Sequence, residues 1–182
     1  MYFNQKGAGN TEQTLKLACE RAKELGINEL VIASTTGDTA YKALDVFSGF
    51  KITAVTYHCG FKEPFKSVME GNVRKDLEAK GVNVISATHA LSGVERSIAK
   101  KYSGSLPVLI MADTLKLFGQ GTKVAVEISV MAADAGALSG NDIVSIGGSA
   151  KGSDTALILK PANQISFFDI KIKEIVCKPS SC

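Results

Sequence analysis

Apolar positions along this chain alternate between two patterns, short continuous runs and a helical period. Leu15, Ala18, Cys19, Ala22 and Leu25 recur at helical spacing, and Gly26 supplies a stop. Asn10 and Gln13 ahead of them are spaced like a capping box that opens the helix. Leu30 to Ala33 is a short apolar run of the kind a buried parallel strand shows. A helical face follows in Ala40, Leu44 and Phe47, then strands over Ile52 to Tyr57 and Val82 to Ala87, separated by a short helix marked by Val73 and Leu77.

The second half opens with helices. Val94, Ile98 and Tyr102 give one apolar face; Leu109, Ala112 and Leu115 give another after Pro107. From Val124 to Leu138 the chain is apolar nearly all round, interrupted mainly by Glu127 and Asp134, which predicts a central helix. Strands are predicted at Ile143 to Ile146, Thr155 to Lys160 and Phe167 to Lys173. In the last of these, Phe168, Ile170 and Ile172 alternate with Asp169, Lys171 and Lys173, as on a half-solvated edge. Repeated strand–helix alternation implies an α/β fold: a three-layer, mostly parallel open sheet with helices on both faces and antiparallel C-terminal strands.

Composition narrows the function classes. With 182 residues, 45% of them hydrophobic, the chain has apolar material for one sheet-centred core, and residues 1–182 are expected to form a single domain. A net charge of +3 without runs of like charge gives no footprint for nucleic acid. No apolar stretch approaches the roughly 18 residues of a spanning helix, so no membrane is expected. The opening Met1 to Gly7 lacks the basic and apolar regions of a secretion signal. Cys19, Cys59, Cys177 and Cys182 are scattered, which suits reduced thiols in a cytoplasmic protein.

An open parallel sheet binds ligands beyond the carboxyl ends of its strands, where following helices expose unpaired N–H groups and their positive dipole ends. Two strand ends stand out. Ser34-Thr35-Thr36-Gly37-Asp38-Thr39 offers hydroxyls, a close-approach glycine and a helix N-terminus, a combination that suits a phosphate cradle. The same hexapeptide also suits an ordinary hydroxyl-rich helix cap. Gly147-Gly148-Ser149-Ala150-Lys151-Gly152-Ser153-Asp154-Thr155 is a second glycine- and hydroxyl-rich stretch, either part of the same anion site or a plain hairpin connection.

His58 and His89 both fall just past strands, accompanied by Cys59. They are acid–base candidates, or simply donors to loop backbone; Cys59 is a possible nucleophile. Arg96, in the first turn of a helix, is placed to reach a phosphate or to pair with Glu95. Glu127 and Asp134 either satisfy backbone or face the ligand, and no ligand spacing supports a metal.

Leu30 to Thr39, the strand Ile52-Thr53-Ala54-Val55-Thr56, and Gly140-Asn141-Asp142 leading to Gly147, Gly152 and Thr155 resemble the C-terminal α/β domain of pyruvate kinase. A fuller resemblance, to stand-alone and mostly archaeal relatives of that domain, rests on Asn10-Thr11-Glu12, Thr56-Tyr57-His58 with Gly60-Phe61, Thr88 to Gly93, and Val126-Glu127 with Met131 to Gly136. The resemblance implies that Thr35, Thr36, Gly37 and Thr39 hold a ligand phosphate, and that Gly148, Lys151, Gly152 and Ser153 close over it. It also implies that pyruvate kinase activity is absent, because the barrel domain of that enzyme does not fit in this length. Asp38 adds negative charge beside the cradle and disfavours a doubly phosphorylated sugar. The relatives look like flavin-nucleotide binders, so the expected ligand is a phosphorylated small molecule such as FMN. Two other readings stay open: a small enzyme using His89 or His58 on a phosphorylated metabolite, and a subunit that pairs as a homo-oligomer.

Overall fold

A computed structural model describes residues 1–180 of the chain; Cys182 lies outside them. Among the described residues seven strands are present: β1 (Tyr2–Phe3), β2 (Glu29–Ala33), β3 (Lys51–Thr56), β4 (Asn83–Ser86), β5 (Ile143–Gly147), β6 (Thr155–Lys160) and β7 (Lys171–Pro179). The helices are α1 (Thr11–Glu24), α2 (Asp38–Val46), α3 (Gly71–Ala79), α4 (Val94–Tyr102), α5 (Pro107–Lys116) and α6 (Gln120–Asp134). All strands join one sheet in the order β1-β7-β6-β5-β2-β3-β4. The β5-β2-β3-β4 part is parallel, while β6 runs antiparallel to both β5 and β7. The fold is the mostly parallel α/β sheet with antiparallel C-terminal strands that the alternation implied.

Period-two alternation divides the core into two layers. Leu30 and Ile32 of β2, with Ile52 and Ala54 of β3, pack beneath α1, α2 and α3. Val31 and Val55 face the other way, against Ala125, Ile128 and Met131 of α6. Both faces of β2 are therefore buried, which is why its run is apolar without a polar alternate. Helix α6 is enclosed as its all-round apolarity predicts: residues from Gly121 to Ala132 are buried along most of its length. It approaches the sheet closely enough that a Cβ on Gly147 would lie 2.4 Å from the Gly121 carbonyl oxygen. Helix α4 is different, since it buries none of its residues and leaves Val94 and Tyr102 each 70% exposed. No helix among the described residues is long and apolar enough to cross a membrane.

Four local expectations are corrected. Asn10 does not cap α1 through its side chain; a 3-10 turn over Ala8–Asn10 runs straight into the helix, Asn10 keeps helical dihedrals, and its amide donates to Gln5 O instead. The central helix spans Gln120–Asp134 rather than Val124 to Leu138, because Gly136 at φ 70° ends it. The strand placed at Phe167 to Lys173 begins only at Lys171. Gln164–Asp169 is instead a 3-10 segment whose first N–H is held by Asp134 Oδ1 at 3.1 Å. Nor is β7 an edge, since the two-residue β1 pairs along its outer side.

Candidate functional site

Strand β2 is flanked by β3 on one side and β5 on the other, with α2 on one face of the sheet and α6 on the opposite face. Connections that leave a parallel sheet in opposite directions open a crevice at the carboxyl ends of the strands. A cleft of about 570 Å³ lies there, within the range of small-molecule sites. Its walls include Thr35, Thr36, Asp38 and Thr39 after β2, Thr56 at the end of β3 and Tyr57 after it, His89 after β4, and Gly148, Lys151 and Gly152 after β5. Thr36 and Gly148, on the two turns singled out in the sequence, thus face one space.

The first turn is shaped by Ser34 and Gly37. Buried Ser34 accepts the Ala40 N–H through Oγ at 3.1 Å and so caps α2 from within the fold. Gly37 sits at φ 106°, and a Cβ there would lie 2.5 Å from Val73 Cγ1. Neither lines the cleft; both aim the backbone that does. The N–H groups of Thr36, Gly37, Asp38 and Thr39 have no acceptor among the described residues. The Thr36 hydroxyl donates to Asp38 Oδ2 at 2.8 Å. The helix-cap and anion-cradle readings of this hexapeptide are therefore compatible, one using Ser34 and the other the amides beyond it.

The second turn is organised by Asp154, to which the sequence alone assigns no role. Asp154 is fully buried, and its carboxylate accepts the N–H of Gly7 at 2.9 Å, the N–H of Ser149 at 3.2 Å and the Thr155 hydroxyl at 2.9 Å. Ser153 is buried too; its N–H donates to Thr11 Oγ1 at 3.0 Å, while its hydroxyl has no partner among the described residues. Gly147 packs against α6 and Ser149 is engaged by Asp154, so these three support the turn and do not wall the cleft. The N–H groups of Ala150, Lys151 and Gly152 have no acceptor among the described residues. The hairpin alternative holds as well, because Gly147 pairs with Thr155 across β5 and β6.

Four rings gather at the far side of the cleft. Tyr57 and Phe61 stack with centroids 4.0 Å apart, His89 lies 5.0 Å from Phe61, and His58 lies 5.5 Å from both Phe61 and His89. Of the two histidines only His89 is on the cleft wall. Burial holds its imidazole below the ordinary 6.5, with Glu127 pulling upward and Lys123, His58 and Arg96 pushing further down. Cys59 is exposed, and only its carbonyl meets a ring, 2.8 Å from His58 Nδ1. Arg96 is exposed on α4, makes no ion pair with Glu95 among the described residues, and is absent from the wall. No group of His, Cys, Asp and Glu placed to hold a metal occurs among the described residues.

The two acidic residues of α6 separate. Asp134 lies at the helix end, where it accepts from Asn163 Nδ2 and Gln164 N. Glu127 lines the cleft and pairs with buried Lys123. Sequence reading missed Lys42 and Lys62, which place two further ammonium groups on the wall, and the ring role of Tyr57 and Phe61. The usable signal was position: each follows the β3 end or lies one turn into α2.

A crystal structure of a pyruvate kinase from Cryptosporidium parvum aligns over 85% of this chain and 24% of its own, with 15% identity and a TM-score of 0.42. A Cryptosporidium parvum pyruvate kinase in complex with ADP aligns over 87% and 25%, with 18% identity and a TM-score of 0.45. The chain thus spans about a quarter of each of those enzymes. The family model described as pyruvate kinase, alpha/beta domain, matches residues 12–159, from the first turn of α1 to the penultimate residue of β6. Both turns, all four rings and the cleft-facing side of α6 fall inside that match, and this chain belongs to the pyruvate kinase alpha/beta-domain family.

Proposed function

We propose that this domain binds a phosphorylated small molecule, FMN being the ligand it suits best, without pyruvate kinase turnover. The phosphate sits between the free amides after β2 and those of the Lys151 turn, with Lys42 and Lys151 offsetting its charge and that of Asp38. The planar ring lies toward Tyr57 and His89, the two rings on the wall, which Phe61 backs, and stacking there adds affinity. The observation that carries the reading is the convergence of two amide-presenting turns on one cleft with rings at its other end. A single phosphate suits the charge balance better than two, because the Asp38 carboxylate stands on the wall.

Titration of the purified protein with FMN and with fructose bisphosphate, followed by flavin fluorescence and calorimetry, tests it. Saturable FMN binding that Thr36→Glu weakens at least about a hundredfold is expected, since the new carboxylate faces the phosphate. Absence of saturable binding for either compound, or binding indifferent to Thr36→Glu, overturns the reading. Acid–base turnover of the bound ligand is the second reading, and the wall position of His89 favours that residue over His58 for it.

A further inference from the structure

Helix α6 turns an apolar face with one charged exception toward the cleft: Val124, Ile128 and Met131 surround Glu127. Glu127 is 2% exposed and Lys123, one turn earlier, 5% exposed. Lys123 Nζ donates to Glu127 Oε2 at 2.5 Å, and the other carboxylate oxygen, Oε1, accepts the Leu91 N–H at 3.0 Å. A buried ion pair of this kind is worth little as stability, since apolar residues of equal volume serve a core as well or better. Its use here is legible in what Oε1 holds. Leu91 belongs to the turn that carries His89, closed by a bond from Ser92 N to His89 O at 3.2 Å. Lys123 fixes the carboxylate, the carboxylate fixes the turn, and the turn sets the His89 ring against Phe61 and Tyr57.

We propose that Glu127 and Lys123 are positioning residues for His89, holding its imidazole on the cleft wall as the group that meets the ligand's polar edge. Each Glu127 oxygen already holds one donor, and the pair acts on His89 through the turn. The groups that face His89 are Glu127 and Lys123 from α6, His58 from the loop after β3, and Arg96 from α4. Of these Glu127 exerts the largest charge effect, in the direction that favours the imidazolium. The side chain of Leu91, 1% exposed, anchors the apolar half of the turn independently. The fold therefore tolerates loss of the pair.

The test uses the full chain, Glu127→Gln, and the double variant Lys123→Met/Glu127→Met, which removes both charges at similar volume and leaves neither unpaired. In the ligand-free proteins, histidine ring protons are titrated by NMR and Leu91 amide exchange is measured. The His89 midpoint is expected to fall in both variants. Leu91 exchange is expected to accelerate at least about tenfold in the double variant, and to stay near the parent rate in Glu127→Gln, which keeps a carbonyl acceptor. An unmoved His89 midpoint, or unchanged Leu91 exchange in the double variant, overturns the proposal. A third arm rests on the binding reading above: FMN affinity of the double variant is expected to fall about tenfold. If no FMN binds to any of the three proteins while the NMR outcomes hold, the binding reading fails and the positioning role stands. If FMN binds the double variant as tightly as the parent, positioning for the ligand is refuted.

Discussion

Replacing Asp154 probes the construction of the site without touching its wall. The carboxylate is fully buried and reaches three donors: two backbone N–H groups, of Gly7 and Ser149, and the Thr155 hydroxyl. Asp154→Ala strands the two N–H groups, at about 1–3 kcal/mol each, while the hydroxyl turns to another acceptor. Relief of the carboxylate's own desolvation returns part of this, which leaves a net loss of about 3 kcal/mol. For a domain whose total stability is about 5–15 kcal/mol, that is a large fraction but leaves a folded protein. Asp154→Asn keeps one carbonyl oxygen for the two N–H groups at Oδ2 and sets its NH₂ toward the Thr155 hydroxyl, which can rotate to accept; its expected cost is about 1 kcal/mol. Urea denaturation followed by circular dichroism reads both. With a slope of about 2 kcal/mol per molar, the Ala variant should lose about 1.5 M in midpoint and the Asn variant about 0.5 M. Equal shifts in the two variants, or an Ala shift under about 0.5 M, would refute the claim that acceptor geometry holds the second turn.

Two further outcomes follow from packing and charge. Gly147→Ala places a Cβ 2.4 Å from Gly121 O and 2.9 Å from Ala125 N, both backbone of α6, so the helix must move; a loss of about 2 kcal/mol and a Tm lower by roughly 6 °C are expected by calorimetry. Glu29 is pushed upward by burial, but Ser139 and Lys51 outweigh this and hold its carboxyl below the usual 4.5. A depressed folded value means that its stabilisation is full above the unfolded value and is lost as pH falls through the folded one. Glu29→Gln should therefore flatten the stability–pH profile in that acidic window and cost about 1 kcal/mol at neutral pH, both measurable by urea midpoints across pH.

The parts of this architecture legible in the sequence are those set by local period. Leu30, Val31 and Ile32 announce a strand buried on both faces because each residue has its own layer to fill. The all-round apolarity of α6 announces a helix enclosed by sheet and neighbours. Errors arose where a distant group decided a local conformation. Phe168, Ile170 and Ile172 alternate like a strand, yet Asp134, thirty residues from Gln164, holds its N–H and favours a 3-10 turn. Asn10 has the spacing of a cap, but the turn from Ala8 already supplies the helix with a lead-in, so no cap conformation remains for it to fill. The site divides likewise. Hydroxyls and glycines after strands were visible because they lie side by side in the sequence, directly after the apolar runs of β2 and β5. The role of Asp154 stayed hidden because its partner Gly7 is 147 residues away.

That long-range bond also explains why the N-terminal segment belongs to the site. Gly7 and Thr11 follow only β1, whose two residues carry no strand pattern of their own in the sequence. Yet Gly152 at φ 70° lies so close that a Cβ there would meet Thr11 Oγ1 at 2.4 Å and Ala8 Cα at 2.7 Å, and Ser153 donates to that same Thr11 oxygen. The N-terminus of α1 is thereby pressed onto the turn that follows β5, while α2 begins at the turn that follows β2. Ala8 and Thr11 line the cleft beside Thr39 and Gly152 as a result. Two helix N-termini converge on one space, and the positive ends of their dipoles add there to the free amides. The anion-facing character proposed for the cleft thus rests on how α1, α2 and the two turns are assembled, with Asp154 as the group that fastens the assembly.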